Sequence, residues 1–117
     1  RKLLATQRVF TAVFAATDHM AVGCVKALWD NGLRVPEDIS VIGFDNLSIT
    51  GYPTPPITTV NQPRYEMGRL AAQKICQVLA GQDVEQRHIT LRHNIVYRAS
   101  TAAPGRLKQY VPSGKPV

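Results

Sequence analysis

The feature that most constrains this chain is a pair of short apolar runs with one helix-length segment between them. Thr11-Ala12-Val13-Phe14-Ala15-Ala16 and Ile39-Ser40-Val41-Ile42-Gly43-Phe44 are each bounded by polar residues. Runs of this kind suit strands covered on both faces, as in a parallel sheet. Between them, Thr17 and Asp18 offer N-cap oxygens, and Ala21, Val25, Leu28 and Gly32 recur at helical spacing. Gly32, following Asn31, is a left-handed stop, and Arg34 to Asp38 reads as a loop. Strand–helix–strand in this order is the parallel crossover unit, right-handed in nearly all proteins that contain it. The fold class is therefore α/β.

Further along, Gly51, Pro53, Pro55 and Pro56 keep long regular elements out of residues 45–56. Thr58-Thr59-Val60-Asn61 is a short strand-like piece, and Pro63 suits the first turn of a helix. The buried face of that helix is expected to be Gly68, Ala71, Ala72, Ile75, Val78 and Leu79, with Gly81 ending it. His88 to Leu91 and Asn94 to Arg98 read as two strands or one bent strand. Residues beyond Ala103 are expected to form a flexible tail.

Length and composition narrow the function classes. The chain has 117 residues, enough for one modest domain, and 44% of them are hydrophobic, which argues for a packed core and against disorder. No apolar run reaches the roughly 18 residues of a membrane-spanning helix, so no membrane partner is expected. Residues 1–8 read as the last turns of a helix that starts upstream, and the chain lacks an initiator Met, so it is expected to be a fragment. The net charge of +6 could suggest nucleic acid, but the basic residues are scattered and form no helical stripe. Cys24 and Cys76 lie in helix-like segments far apart, and read as two buried thiols in a reducing compartment with no disulfide or metal role.

In open parallel sheets, ligands bind beyond the carboxyl ends of the strands. The two apolar runs deliver Thr17-Asp18-His19 and Asp45-Asn46 there. Such short carboxylates, amides and hydroxyls can bind a hydroxyl-rich or heteroaromatic molecule. Asp18 reads as a helix cap, and Asp45 as a ligand contact. An enzyme is not expected. His19, His88 and His93 lack metal-ligand spacing, and there is no nucleophile elbow or dinucleotide fingerprint. No cofactor is implied. Ser113-Gly114-Lys115 lacks the Ser/Thr and the helix of a phosphate loop, and Asn46-Leu47-Ser48 matches a glycosylation sequon by chance. Met20, Val22, Cys24 and Trp29 give the first helix a second apolar strip, which Ile49, Tyr52 and Pro53 could extend. Periodicity leaves core and subunit interface equally open for this strip.

Three long stretches resemble one family. Thr11 to Gly23 resembles the "AVFAxND-xMAxG" segment of lactose/galactose-type repressors. Gly32 to Asn46 is similar to their "GLRVPxDxSVxGFDD" signature, and Pro55 to Gly68 to their "PPLTTVxQPxxxMG" stretch. The resemblance runs in order from about Thr11 to Ala103. It implies a periplasmic-binding-protein-like fold of two α/β subdomains, a small effector in the cleft between them, and a homodimer. It also implies a cytoplasmic location and operator DNA bound through a helix-turn-helix head that this sequence does not contain. Residues 1–57 would be part of the C-terminal effector-binding subdomain. Residues 58–103 would hold the crossover, a helix of the N-terminal subdomain and returning strands, and residues 104–117 the tail. Pieces of two subdomains are thus implied, a partial fold.

By position, Asp45 takes the place of the family's acidic effector contact and Gln62 that of a cleft-facing Gln. Thr17 stands where the family usually has Asn, which leaves the effector undecided among sugars, sugar acids, nucleosides and purines. Met20 to Trp29 and Leu47 to Thr54 resemble the dimer-forming surface, which turns the open choice above toward an interface of Met20, Val22, Trp29, Ile49, Tyr52 and Pro53. The nearest alternative is a periplasmic sugar-binding protein of a transporter, which shares the fold.

Overall fold

The computed structural model describes residues 10–84 and 88–104. The helical turns expected at residues 1–8, and the tail from 105 onward, lie outside the described residues. The chain divides into two compact units, Arg1–Asn61 with Ile95–Val117, and Gln62–Asn94.

The first unit holds β1 (Ala12–Phe14), α1 (Asp18–Asp30), β2 (Ser40–Phe44), a 3-10 turn (Ser48–Gly51) and β3 (Thr58–Asn61); the last strand, β4, spans Asn94–Val96. The sheet order is β1-β2-β3-β4. β1 runs parallel to β2 with Val13 opposite Val41, and β2 runs parallel to β3 with Gly43 opposite Thr59. The strand–helix–strand unit expected from the two apolar runs is present. α1 starts where its signals lie, since Thr17 is the N-cap and its Oγ1 accepts from the Met20 amide at 3.3 Å. It stops at Gly32, whose φ of 74° lets the Leu33 amide reach back to the Leu28 carbonyl at 3.0 Å.

The core lies between α1 and one face of the sheet. Ala21, Val25 and Leu28 from the helix meet Ala15, Val35, Ile39, Val41 and Ile57. Burying a side chain such as Leu28 contributes about 1.5–3 kcal/mol. Gly43 lets α1 approach this closely: a Cβ there would lie 3.2 Å from the Ala21 Cβ and collide with the Asp18 carboxylate.

The other face of β1 departs from expectation. β1 was expected to be covered on both sides, but Ala12 is exposed and Phe14 is 62% exposed. The Phe44 ring meets Phe14 edge to face, with ring centroids 6.3 Å apart. An unbroken apolar run records that both faces seek cover. It does not record whether the covering element is within the same 117 residues.

The second unit shows the same effect more strongly. α2 (Arg64–Leu79) forms where the helical pattern predicts it, with Gly81 just past its end. However, the expected buried face is not buried: no residue of α2 is, and Leu79 is 81% exposed. Among the described residues of this unit there is no sheet for the helix to pack on. Residues 88–93 are irregular, so of the two strands or one bent strand expected over residues 88–98 only Asn94–Val96 forms.

Cysteine burial is corrected with it. Cys76, on α2, is exposed, and Cys24, on α1, is partly buried; both are free. Burial pushes the Cys24 thiol up from its ordinary value. Since the thiolate is the nucleophile, Cys76 is expected to react with iodoacetamide at pH 8 at least about tenfold faster than Cys24. Peptide mapping of a timed alkylation would show equal rates if burial of Cys24 were unimportant.

Candidate functional site

β1 and β2 are hydrogen-bonded neighbours, so the residues leaving their carboxyl ends are brought to the same edge of the sheet. Thr17 sits there as the cap of α1, its oxygen engaged by the Met20 amide. Asp45 follows β2 directly, and its amide donates to the Val60 carbonyl of β3 at 2.9 Å. Gln62 follows β3 and opens the second unit.

Asp45 and Asn46 are consecutive residues with positive φ, 114° and 55°. For side chains other than glycine that region is sparsely populated, although Asp and Asn tolerate it best. The chain turns sharply here, and the turn is built from its surroundings. The Asn46 amide donates to Thr59 Oγ1 at 3.3 Å, and the Leu47 amide donates to Asp18 Oδ2 at 2.6 Å.

Asp18 has a different role from the one expected. Thr17 supplies the helix cap, while Asp18 is fully buried and joins three segments. One carboxylate oxygen accepts from Leu47, the other from the Thr59 hydroxyl at 2.5 Å. Its place in the first turn of α1 sets its negative charge against the positive end of the helix.

Arg98 belongs to the same constellation and was not singled out by the sequence. Its guanidinium donates to Thr50 Oγ1 at 3.0 Å, to the Ile57 carbonyl at 2.8 Å and to Asn46 Oδ1 at 3.0 Å. Asn46 in turn donates from Nδ2 to Asn61 Oδ1 at 3.1 Å. Just beyond, Ser100 Oγ accepts from the Thr58 amide at 2.8 Å and donates to the Val41 carbonyl at 2.5 Å. The strained corner at the carboxyl end of β2 is thus held by a dense polar framework, whereas the Ser100 contacts fasten the amino-terminal part of β2 and β3.

The apolar strip on α1 separates into two flanks. Val22 and Trp29, seven residues apart, lie within about 20° of each other around the helix, whereas Met20 lies on the opposite side of the buried stripe. Trp29 is 48% exposed and Met20 59% exposed. In the following segment Tyr52 is exposed, with Ile49 and Pro53 partly covered.

A parallel sheet with a polar corner at its carboxyl edge is the arrangement of binding proteins as well as of enzymes, so comparison with known proteins decides between lineages. Residues 1–101 match the periplasmic binding protein-like domain family. The chain belongs to that family. Its relatives are lactose/galactose-type transcriptional repressors. The repressor CytR of Escherichia coli (strain K12), of helix-turn-helix type, is 43% identical over 93 residues, 80% of this chain and 27% of that protein. Among solved structures, a CelR–cellobiose complex superimposes with a TM-score of 0.81 at 36% identity, covering 86% of this chain and 31% of that one. The lac repressor dimer bound to operator and the anti-inducer ONPF gives a TM-score of 0.79 at 34% identity, covering 87% and 35%. The chain therefore spans about a quarter to a third of the length of these relatives. The fold is the mixed α/β, mainly parallel fold of that family. Among the described residues, no helix is long and apolar enough to cross a membrane.

Proposed function

We propose that this chain is the effector-sensing and dimer-forming part of a cytoplasmic transcriptional regulator. The observation that carries the reading is Asp45, held on a strained corner at the carboxyl end of β2, beside the end of β1, in a chain whose relatives are repressors. In this reading Asp45 orients a small effector by accepting its hydrogen bonds, and Thr17 and Gln62 add polar contacts. A sugar, sugar acid, nucleoside or purine presents hydroxyl or N–H groups that suit a carboxylate. The relative solved as a complex with cellobiose supports sugars as the first class to test. The reaction is a binding switch: the effector favours one arrangement of the protein and so shifts the fraction competent to hold operator DNA. DNA contact belongs to a helix-turn-helix head outside this sequence, in keeping with the helix-turn-helix type of the relative CytR.

The deciding experiment is a thermal-shift screen of the protein against sugars, sugar acids, nucleosides and purines. A shift confined to one class names the effector class. No shift with any of them would remove the effector-sensing reading.

Dimer formation is assigned to Val22 and Trp29, on one flank of α1, with Ile49, Tyr52 and Pro53; Met20, expected in the same surface, lies on the opposite flank and is left out of it. The lac repressor relative is a dimer in its solved structure, and exposed aromatic side chains such as Trp29 are the residues that anchor interfaces. Trp29→Glu places a charge in that surface and is expected to weaken self-association at least about tenfold. Sedimentation velocity would sink the assignment if Trp29→Glu and the parent sedimented alike.

A further inference from the structure

Asp45 and Asn46 occupy backbone conformations that side-chain-bearing residues rarely hold on their own. Such a corner persists only if its surroundings over-determine it. Three consecutive amides are pinned, Asp45 to the Val60 carbonyl, Asn46 to Thr59 Oγ1, and Leu47 to Asp18 Oδ2. The side chain of the corner is pinned separately, through Arg98.

The chemistry fixes the direction of that contact. A guanidinium has five donors and no acceptor, so Asn46 can meet it only through Oδ1. The Asn46 Nδ2 is thereby turned to Asn61, which must accept through its own Oδ1. The other two donor contacts of Arg98 fasten the same plane to Thr50 in the 3-10 turn and to Ile57, just before β3. The Arg98 amide itself donates to Thr58 Oγ1 at 3.0 Å. One rigid fork thus ties the corner to two other segments, all three of its side-chain acceptors being neutral oxygens.

We infer that Arg98 is a positioning residue, which holds the Asp45–Asn46 corner in its left-handed conformation and so presents the Asp45 carboxylate from a fixed backbone. The inference rests on the reading of Asp45 as the effector contact, and it also specifies position 46. The residue there must offer an acceptor to Arg98, and the amide of Asn46 also donates to Asn61, which a carboxylate cannot do. Asp at this position, as in the signature of the resembling family, would keep the Arg98 contact and force Asn61 to turn its amide over.

Amide hydrogen exchange by NMR on the protein without effector tests this directly. Arg98→Met is expected to accelerate exchange at Asp45, Asn46 and Leu47 at least tenfold, relative to Val25 and Leu28 in α1, whose amides report global opening. Arg98→Lys, which keeps the charge but cannot span three acceptors, is expected to give the same pattern to a smaller degree, and decides the matter if Arg98→Met does not fold. Asn46→Asp is expected to retain the parent protection at the corner. Uniform loss of protection across α1 and the corner, or no change at either, would overturn the inference, as would an Asn46→Asp variant that exchanges like Arg98→Met. Because no effector is present, these outcomes are separate from the failure of Asp45 as an effector contact, which is read from Asp45→Asn in the thermal-shift screen.

Discussion

Asp18→Ala is expected to destabilise the protein by about 3 kcal/mol, the cost of removing the acceptor shared by one buried and one partly buried donor. The Leu47 amide and the Thr59 hydroxyl both end on this carboxylate, and Asp18 and Thr59 are fully buried. Asp18→Asn separates shape from chemistry. The amide oxygen can still accept from Leu47, but its NH2 must face Thr59 Oγ1, which already accepts the Asn46 amide. The Thr59 proton is then orphaned, so Asn should cost about 1–2 kcal/mol. Urea unfolding of the three proteins checks the order. Equal midpoints for parent, Asn and Ala would mean that Asp18 is no more than a helix-capping residue.

Asp45→Asn is expected to weaken effector binding by roughly tenfold to a hundredfold while leaving the fold intact. A hydrogen bond to a charged acceptor contributes about 1.5–3 kcal/mol, and each 1.4 kcal/mol is a factor of ten in affinity. Asn is the right replacement because, like Asp, it tolerates the φ of 114° at this position; Ala would add backbone strain to the lost contact. The thermal-shift readout is sensitive to such a change. At a hundredfold excess over Kd, an effector stabilises the native state by about 2.7 kcal/mol, and a hundredfold weaker variant at the same concentration retains only about 0.4 kcal/mol. An undiminished shift in Asp45→Asn would place the effector elsewhere.

The elements that could be read from the sequence are those whose signals are local. α1 announces itself through Thr17, the Ala21–Val25–Leu28 spacing and Gly32, and each of these does in the structure what its chemistry suggests. The parallel pairing of β1 with β2 follows from the helix between them. What was not legible depends on partners distant in sequence. Arg98 lies 52 residues from Asn46, and Asp18 lies 41 from Thr59, so neither contact leaves a pattern in a window of neighbours. Arg98 read merely as one of many scattered basic residues. α2 fails in the opposite sense. Its periodicity is real and its helix forms, but Ile75, Val78 and Leu79 are exposed, because apolar spacing marks which side wants burial and is silent on what supplies it. Cys76 was misjudged for the same reason.

The bridge made by Ser100 has a consequence for how the protein comes into being. Val41 and Thr58 are joined through it, with the Val41 amide donating to the Ser100 carbonyl at 2.8 Å and the Thr58 amide to its hydroxyl. That fastening is supplied from 42 and 59 residues downstream, after the whole of the second unit has been synthesised. Until those last residues leave the ribosome, the nascent sheet carries buried amides with nothing to bond to, and closing so long a loop has its own entropic cost. Completion of the first unit therefore waits for the turn that follows β4, and a chain ending before Ser100 is expected to lack this latch between β2 and β3.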